Sequence, residues 1–160
     1  MAWSTSYVVP STLVSALESN ASRINLDLSS AGTGYYVALF DNTVTPAVDT
    51  QPQSYGVAPW NTGEATGTNW PSGGVAISLS GAGLTHTSGG NLMFTAGNVS
   101  VDSTTISDGV YGCLIYSSTL SPQAAVCAVW FGGSGYTTSD TPFGITWPAS
   151  GIWTLALVPQ

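Results

Sequence analysis

The sequence predicts a mainly β protein: a single-domain antiparallel β-sandwich, jelly-roll-like, with one N-terminal helix. The first observation is a series of about eight to ten short apolar or alternating stretches between Gly- and Pro-rich turns. The second is the segment 110–131, VYGCLIYSSTLSPQAAVCAVWF, which reads as two strands joined by a loop. The third is the length of 160 residues, which suits one domain, with no repeat, linker or charge block to divide it.

This hairpin needs cover on both sides. Its return strand, residues 124–131, is apolar on both faces, so the rest of the chain must supply a second layer. If Tyr116 pairs with Ala124, Cys113 lies directly opposite Cys127. The two cysteines could form a disulfide, but opposed pairs are geometrically tight, so two buried thiols are favoured.

The N-terminal part divides into an arm and a helix. Residues 1–10 are predicted to be an arm or a first strand, because Trp3 to Val9 alternates and Pro10 ends the pattern. Residues 11–160 form the predicted sandwich domain, which includes a helix over 11–28. The apolar side of that helix consists of Leu13, Leu17, Ala21, Ile24 and Leu28.

The strands follow the helix in chain order. YYVALF at 35–40 is an apolar strand, and 41–63 is a Pro-rich excursion, too long to be an inert connection. In the last predicted strand, 152–158, both faces carry apolar residues. The other predicted strands lie at 64–70, 75–80, 92–95, 99–101, 104–106 and 143–147.

The charge balance excludes two classes of partner. Only 6% of residues are charged, and the single cation, Arg23, stands against eight carboxylates, which gives a net charge of −7. Binding to nucleic acid or to an anionic membrane surface needs clustered Lys and Arg, so neither is expected as a partner.

The same composition predicts a subunit of something larger. No apolar run is long enough to span a bilayer, and the start, MAWSTSYVVP, lacks the features of a signal peptide. The composition is typical of proteins that face the outside of a cell or particle, although the start of the sequence predicts no export signal. This combination fits a protein that is made in a cytoplasm and released as part of a particle. Because the surface has few charged side chains to oppose association, the chain is expected to pack against copies of itself.

Residues capable of catalysis or metal binding are sparse. His86 is the only histidine, and no Gly-x-Ser-x-Gly motif surrounds any serine. Asp102 and Asp108 are the nearest candidates for a calcium site, but turn-forming roles are the favoured explanation for both. Glu64 is the most suggestive carboxylate, but a glycosidase needs a second one close by. We therefore expect no cofactor, no metal and no enzymatic activity.

Aromatic residues in loops and in the N-terminal arm are the candidate interface. Exposed aromatic rings stack on sugars or anchor protein interfaces, whereas buried ones extend the core, and the sequence leaves these alternatives open. The tryptophans at 130, 147 and 153 lie in or beside strands and are expected in the core. The candidate interface residues are Trp3, Tyr7, Tyr55, Trp60, Trp70 and Tyr136.

Several phrases resemble small virion proteins of tailed bacteriophages, especially those of actinobacterial hosts. They are GYYVALFDNTVTPA, EATGTNWPSGGVAISLSGAGL, GGNLMFTAGNVSVDSTTIS, YGCLIYSST, AVCAVWFGGSGY and FGITWPASGIWTLAL, and they cover most of the chain after the helix. Such proteins are commonly capsid decoration or minor capsid subunits, and some belong to tails. The resemblance provides no functional residues.

The resemblance implies a non-enzymatic capsid decoration subunit that binds and stabilises the outside of the shell. The expected partners are the major capsid protein and copies of the chain itself, with a trimer favoured. The N-terminal arm is a candidate grip on the shell or on a neighbour. The alternative is a minor tail or tail-fibre module that recognises host-surface glycan. A β-sandwich hydrolase that uses Glu64 and His86 is the third hypothesis.

Overall fold

The computed structural model describes residues 3–18, 24–46 and 53–156. Four parts of the predictions lie outside these residues: positions 1–2 of the N-terminal arm, positions 19–23 of the helix with Arg23, positions 47–52 of the excursion, and the last positions of the final strand. The described elements are β1 (Tyr7–Val8), α1 (Pro10–Leu17), β2 (Tyr35–Phe40), β3 (Val75–Ile77), β4 (Gly83–His86), β5 (Asn91–Thr95), β6 (Val99–Val110), β7 (Gly112–Ser117), β8 (Ala125–Trp130), β9 (Tyr136–Ile145) and β10 (Trp153–Ala156).

A five-stranded antiparallel sheet is the centre of the protein. Its strands lie in the order β1-β8-β7-β2-β3, and every residue of β7 is buried. In the hairpin, Cys113 and Ile115 belong to one hydrophobic cluster with Val37 and Leu39 of β2, while Leu114 and Tyr116 belong to another on the opposite face. The predicted burial of the hairpin on both sides is therefore confirmed.

Two smaller sheets cover the first face. They are the three-stranded β10-β5-β4 and the two-stranded β6-β9. Phe94, Ile106 and Phe143 from these sheets are buried in the same cluster as Val37 and Leu39. The mainly β, antiparallel sandwich is confirmed, whereas this sheet order does not confirm the jelly-roll detail.

The second face is covered without strands. Trp3, Val44 and Trp60, from the N-terminal segment and the long excursion, pack on it together with Phe40. Gly112 makes this approach possible, because an added Cβ would lie 2.5 Å from the Trp3 ring. The excursion is thus a structural layer of the protein.

The predicted cysteine pairing is wrong by two residues. Cys113 lies opposite Val129 and Cys127 opposite Ile115, because Tyr116 pairs with Ala125 rather than Ala124 and a bulge in β8 next to Ile115 adds the second residue of the offset. The bulge places Val126 as an extra residue in the ladder. Both cysteines are buried and free.

The helix is shorter than predicted, because it ends at Leu17 rather than near residue 28. The backbone of residues 27 and 28 is bound to tertiary partners instead: the Asp27 carbonyl accepts from the Tyr35 hydroxyl at 2.6 Å, and the Leu28 carbonyl from the Leu84 amide at 2.7 Å. These bonds replace helical ones. No helix in the described part of the chain is long and apolar enough to cross a membrane.

Candidate functional site

Three of the six predicted interface aromatics belong to the core. Trp3, Trp60 and Trp70 are 4%, 1% and 0% exposed, so their rings cannot meet a partner in this conformation. Trp60 packs edge-on against Trp3 at 5.6 Å and Phe40 at 5.0 Å between ring centroids. Of the two roles that the sequence left open for these tryptophans, the structure shows the core role for all three.

Tyr7 and Trp60 share one buried acceptor. The Gln53 side chain is 1% exposed, and its Oε1 accepts from the Trp60 indole N–H and from the Tyr7 hydroxyl, each at 2.9 Å. Burial raises the pKa of Tyr7. Tyr7 is therefore a half-buried anchor for the N-terminal segment.

Tyr55 and Glu64 form a closed hydrogen-bonded group. Glu64 Oε2 accepts from the Tyr55 and Ser72 hydroxyls at 2.8 Å, and Oε1 accepts from the Gly73 amide at 2.7 Å. The Tyr55 ring stacks on Tyr116 with centroids 4.5 Å apart and planes 10° apart. Glu64, the most suggestive carboxylate in the sequence, thus ties the loop to the sheet.

The remaining polar candidates lie apart. His86 is exposed on β4, and Asp102 and Asp108 are exposed on β6. Within the described ranges, no group of three or more His, Cys, Asp or Glu side chains could hold a metal ion. The geometry therefore adds no support to the calcium or hydrolase readings.

The two thiols are chemically quiet. Burial raises the pKa of Cys113 well above the ordinary value, and the neighbouring Cys127 raises it further. Burial likewise raises the pKa of Cys127. Both side chains remain protonated at neutral pH and act as small apolar core residues.

Tyr136 is the predicted interface residue that is well exposed, at 51%. Its ring meets Phe131 edge-on, with centroids 6.4 Å apart, beside a cavity of about 270 Å³. We call this cavity the tyrosine groove. It is lined by Val129, Phe131, Tyr136, Phe143, Gly144, Ile145, Thr146, Trp147 and Pro148, none of which is charged.

Trp147 gives the tyrosine groove a fixed wall. Its backbone amide donates to Asn98 Oδ1 at 3.0 Å, and its indole N–H donates to the Gly97 carbonyl at 3.1 Å. The backbone amide and the indole N–H of Trp147 are therefore both satisfied inside the protein, and the apolar ring is left to face the groove. An aromatic, uncharged groove with a fixed wall can bury a partner's apolar side chain or stack on a ring.

A second apolar surface was missed by sequence reasoning. A cavity of about 310 Å³, here called the leucine groove, lies among α1, residues 26–29 and the three-stranded sheet. Leu17 and Leu155 stand at it 85% and 44% exposed. The sequence carried two signals: segment 152–158 is apolar on both faces although one face suffices for the core, and Leu13 and Leu17 lie on the apolar side of the predicted helix. The leucine groove is lined mainly by Leu13, Leu17, Leu26, Leu92, Trp153 and Leu155.

No family model, curated protein or solved structure matches this chain. The likeness to phage virion proteins therefore depends on the quoted sequence phrases alone. Function has to be argued from the two grooves and from the composition of the chain.

Proposed function

We propose that this chain is a non-enzymatic structural subunit of a tailed-phage virion, a capsid decoration protein that binds the outside of the shell. The observation that carries the proposal is the tyrosine groove, which presents an exposed aromatic side chain at an uncharged cavity on a β body. The sequence phrases supply the context of the particle. The major capsid protein is the proposed partner.

The charge of the chain supports the outer side of the shell. A net charge of −7 with one cation disfavours contact with a packaged genome, whose phosphates need Lys and Arg to neutralise them. An uncharged groove loses little solvation when it is covered, so apolar contact is favourable there. Many copies with weak individual contacts can together stabilise a shell, because each capsid repeats the same binding site.

The contribution of Tyr136 can be bounded. An aromatic side chain buries about 150–250 Å² in full, so covering the exposed half of Tyr136 removes about 100 Å² from water. At about 25 cal/mol per Å², this is worth roughly 2.5 kcal/mol before the cost of ordering the partner. We therefore expect Tyr136→Ala to weaken shell binding about 5- to 30-fold.

The experiment is co-sedimentation with capsids that lack the protein. Wild-type protein should bind saturably and raise the melting temperature of the capsids, whereas Tyr136→Ala should bind more weakly. The control is Val57→Ala, which trims another half-exposed apolar side chain that is not part of either groove and should bind like wild type. Absence of wild-type binding at saturating concentration would contradict the proposal.

A glycan-binding tail module is the second candidate, and the same groove favours it, because an exposed tyrosine beside a cavity is suited to stacking on a sugar ring. Binding on a glycan array that is lost with Tyr136→Ala, together with no binding to capsids, would select this candidate. Substitution of Trp60 or Trp70 is not a suitable test, because both rings are buried.

A further inference from the structure

Among the described residues, one edge of the three-stranded sheet has no strand paired to it. β10 pairs with β5 through four residues, from Trp153 opposite Phe94 to Ala156 opposite Asn91. In the part of the chain that the structure describes, no strand lies on the other side of β10. Such an edge presents unpaired backbone N–H and C=O groups, which form a template for another strand.

The other edges of the described sheets are short or covered. β1 has two residues and β3 has three, too few for a stable ladder. The outer side of β4 is occupied, because the Leu84 amide donates to the Leu28 carbonyl at 2.7 Å. The outer side of β6 is bridged at Thr105 by Thr68.

β9 carries three of the devices that discourage strand addition. It contains Asp140 and Pro142, and its pairing with β6 is interrupted by register shifts. β10, with the sequence Trp-Thr-Leu-Ala, has no charge, no proline and no register shift in its ladder. Among the described strands of four or more residues, β10 is the one whose free edge is neither covered nor marked by any of these features.

The side chains of β10 fit the same purpose. Thr154, Leu155 and Ala156 are exposed, and Leu155 stands at the leucine groove beside Leu17, which is 85% exposed. An added strand would satisfy the backbone groups and bury this apolar surface in one step. Because none of the residues that line the leucine groove is charged, the added strand should be uncharged there too.

We propose that the strand added to β10 is β10 of a second copy, antiparallel about a two-fold axis, with Leu155 opposite Leu155 of the second copy. Identical antiparallel strands are self-complementary, so one bare edge is enough for this contact. A head-to-tail ring would need a second bare edge of different sequence, and the described sheets offer none. About four backbone hydrogen bonds and the burial of both Leu155 side chains would hold the pair.

The resulting assembly is a dimer with a continuous six-stranded sheet, in the order β4-β5-β10-β10-β5-β4. It differs from the trimer favoured by the sequence resemblance. The contact is independent of the shell proposal, because it is formed by the protein alone and is measured without capsids.

Disulfide trapping tests the geometry directly. Directly opposed residues in an antiparallel pair lie about 4.5–5.5 Å apart between Cα atoms, within the range of a disulfide, so Leu155→Cys should cross-link into a dimer under mild oxidation. The native cysteines do not interfere, because both are buried. Val57→Cys, at an equally exposed position, is the control and should stay uncross-linked. Equal cross-linking of both variants, or none of Leu155→Cys, would overturn the proposal.

Mass measurement in solution tests the stoichiometry. Light scattering over a concentration series should show wild-type protein approaching twice its 16.3 kDa monomer mass. Leu155→Lys should weaken the dimer by at least about tenfold, because an edge lysine blocks strand addition. Val57→Lys has the same net charge, −7 + 1 = −6, and should dimerise like wild type. A trimer, a monomer at every concentration, or a Leu155→Lys protein that dimerises as tightly as wild type would refute the two-fold contact.

Discussion

Replacing Trp60 by alanine separates a core role from an interface role. In the structure the ring is 1% exposed, and it contacts Trp3 and Phe40 and donates from its indole N–H to Gln53 Oε1 at 2.9 Å. The substitution removes the largest side chain between the long excursion and the central sheet. Of the two hydrogen bonds to Gln53 Oε1 described above, it removes the one from the indole N–H and leaves the one from the Tyr7 hydroxyl.

The expected loss of stability is large. Truncation of a buried tryptophan to alanine costs about 3–5 kcal/mol through lost transfer free energy and the cavity that remains. Loss of one buried hydrogen bond adds about 1 kcal/mol. We expect Trp60→Ala to lower the free energy of unfolding by about 4–6 kcal/mol, a large fraction of the roughly 5–15 kcal/mol typical of a domain. Trp60→Phe keeps an aromatic ring and should cost about 1–2 kcal/mol, because it loses mainly the N–H donor and part of the volume.

Urea unfolding followed by circular dichroism measures these differences, with Val57→Ala as an exposed control expected to change stability by less than about 0.5 kcal/mol. A Trp60→Ala protein that loses less than about 1 kcal/mol of stability but no longer binds capsids or glycan would refute the assignment of this ring to the core. The expected pattern is the reverse, in which binding is reduced only in proportion to the unfolded fraction.

Three further predictions concern the partly buried Glu64 carboxylate and the buried thiols. Glu64→Gln should lower the free energy of unfolding by about 1–3 kcal/mol, because both carboxylate oxygens accept hydrogen bonds whereas the amide has a single oxygen to accept them. Unchanged urea unfolding would contradict this prediction. Cys113 and Cys127 should resist a thiol reagent at about pH 8 until the protein unfolds. Since burial raises the pKa of both thiols in the folded state, stability should be full below about pH 8.5 and fall above it, where only the unfolded chain loses protons. A Cys113→Ala/Cys127→Ala variant should show a weaker fall in urea midpoint between about pH 8.5 and 10, and an identical fall would exclude the thiols as its cause.

The β class and the doubly buried hairpin could be predicted, because β2, β7 and β8 are short runs that are apolar on both faces. The register could not be predicted for the same reason. Where one face is wet, a slip of one residue exposes apolar side chains and is penalised; where both faces are buried, several registers keep apolar residues inside. The pattern of 124–131 therefore shows neither the pairing of Tyr116 with Ala125 nor the bulge next to Ile115, which together separate the cysteines.

The position of the loop tryptophans could not be predicted from their neighbours. Trp60 and Trp70 lie among Gly, Pro, Asn and Thr, a composition typical of exposed turns. In the structure Trp60 is buried because its polar surroundings find partners within the protein: Gln53 accepts from the indole, and Glu64 ties the end of the excursion to Gly73. Composition reports which residues form a loop, whereas tertiary hydrogen bonds decide whether the loop folds back onto a sheet.

The cover on both faces of the central sheet decides where partners can bind. Because one face is packed against the smaller sheets and the other against the excursion, the apolar surface left for docking lies at the ends and edges of the second layer. The tyrosine and leucine grooves share no lining residue, so occupation of one does not consume the other. A dimer paired through β10 would therefore carry two tyrosine grooves, one on each chain. Two weak sites on one body bind a repeating surface far more tightly than either does alone, provided that the spacing of the surface matches. The dimer contact thus offers a physical source for the affinity that a single uncharged groove lacks.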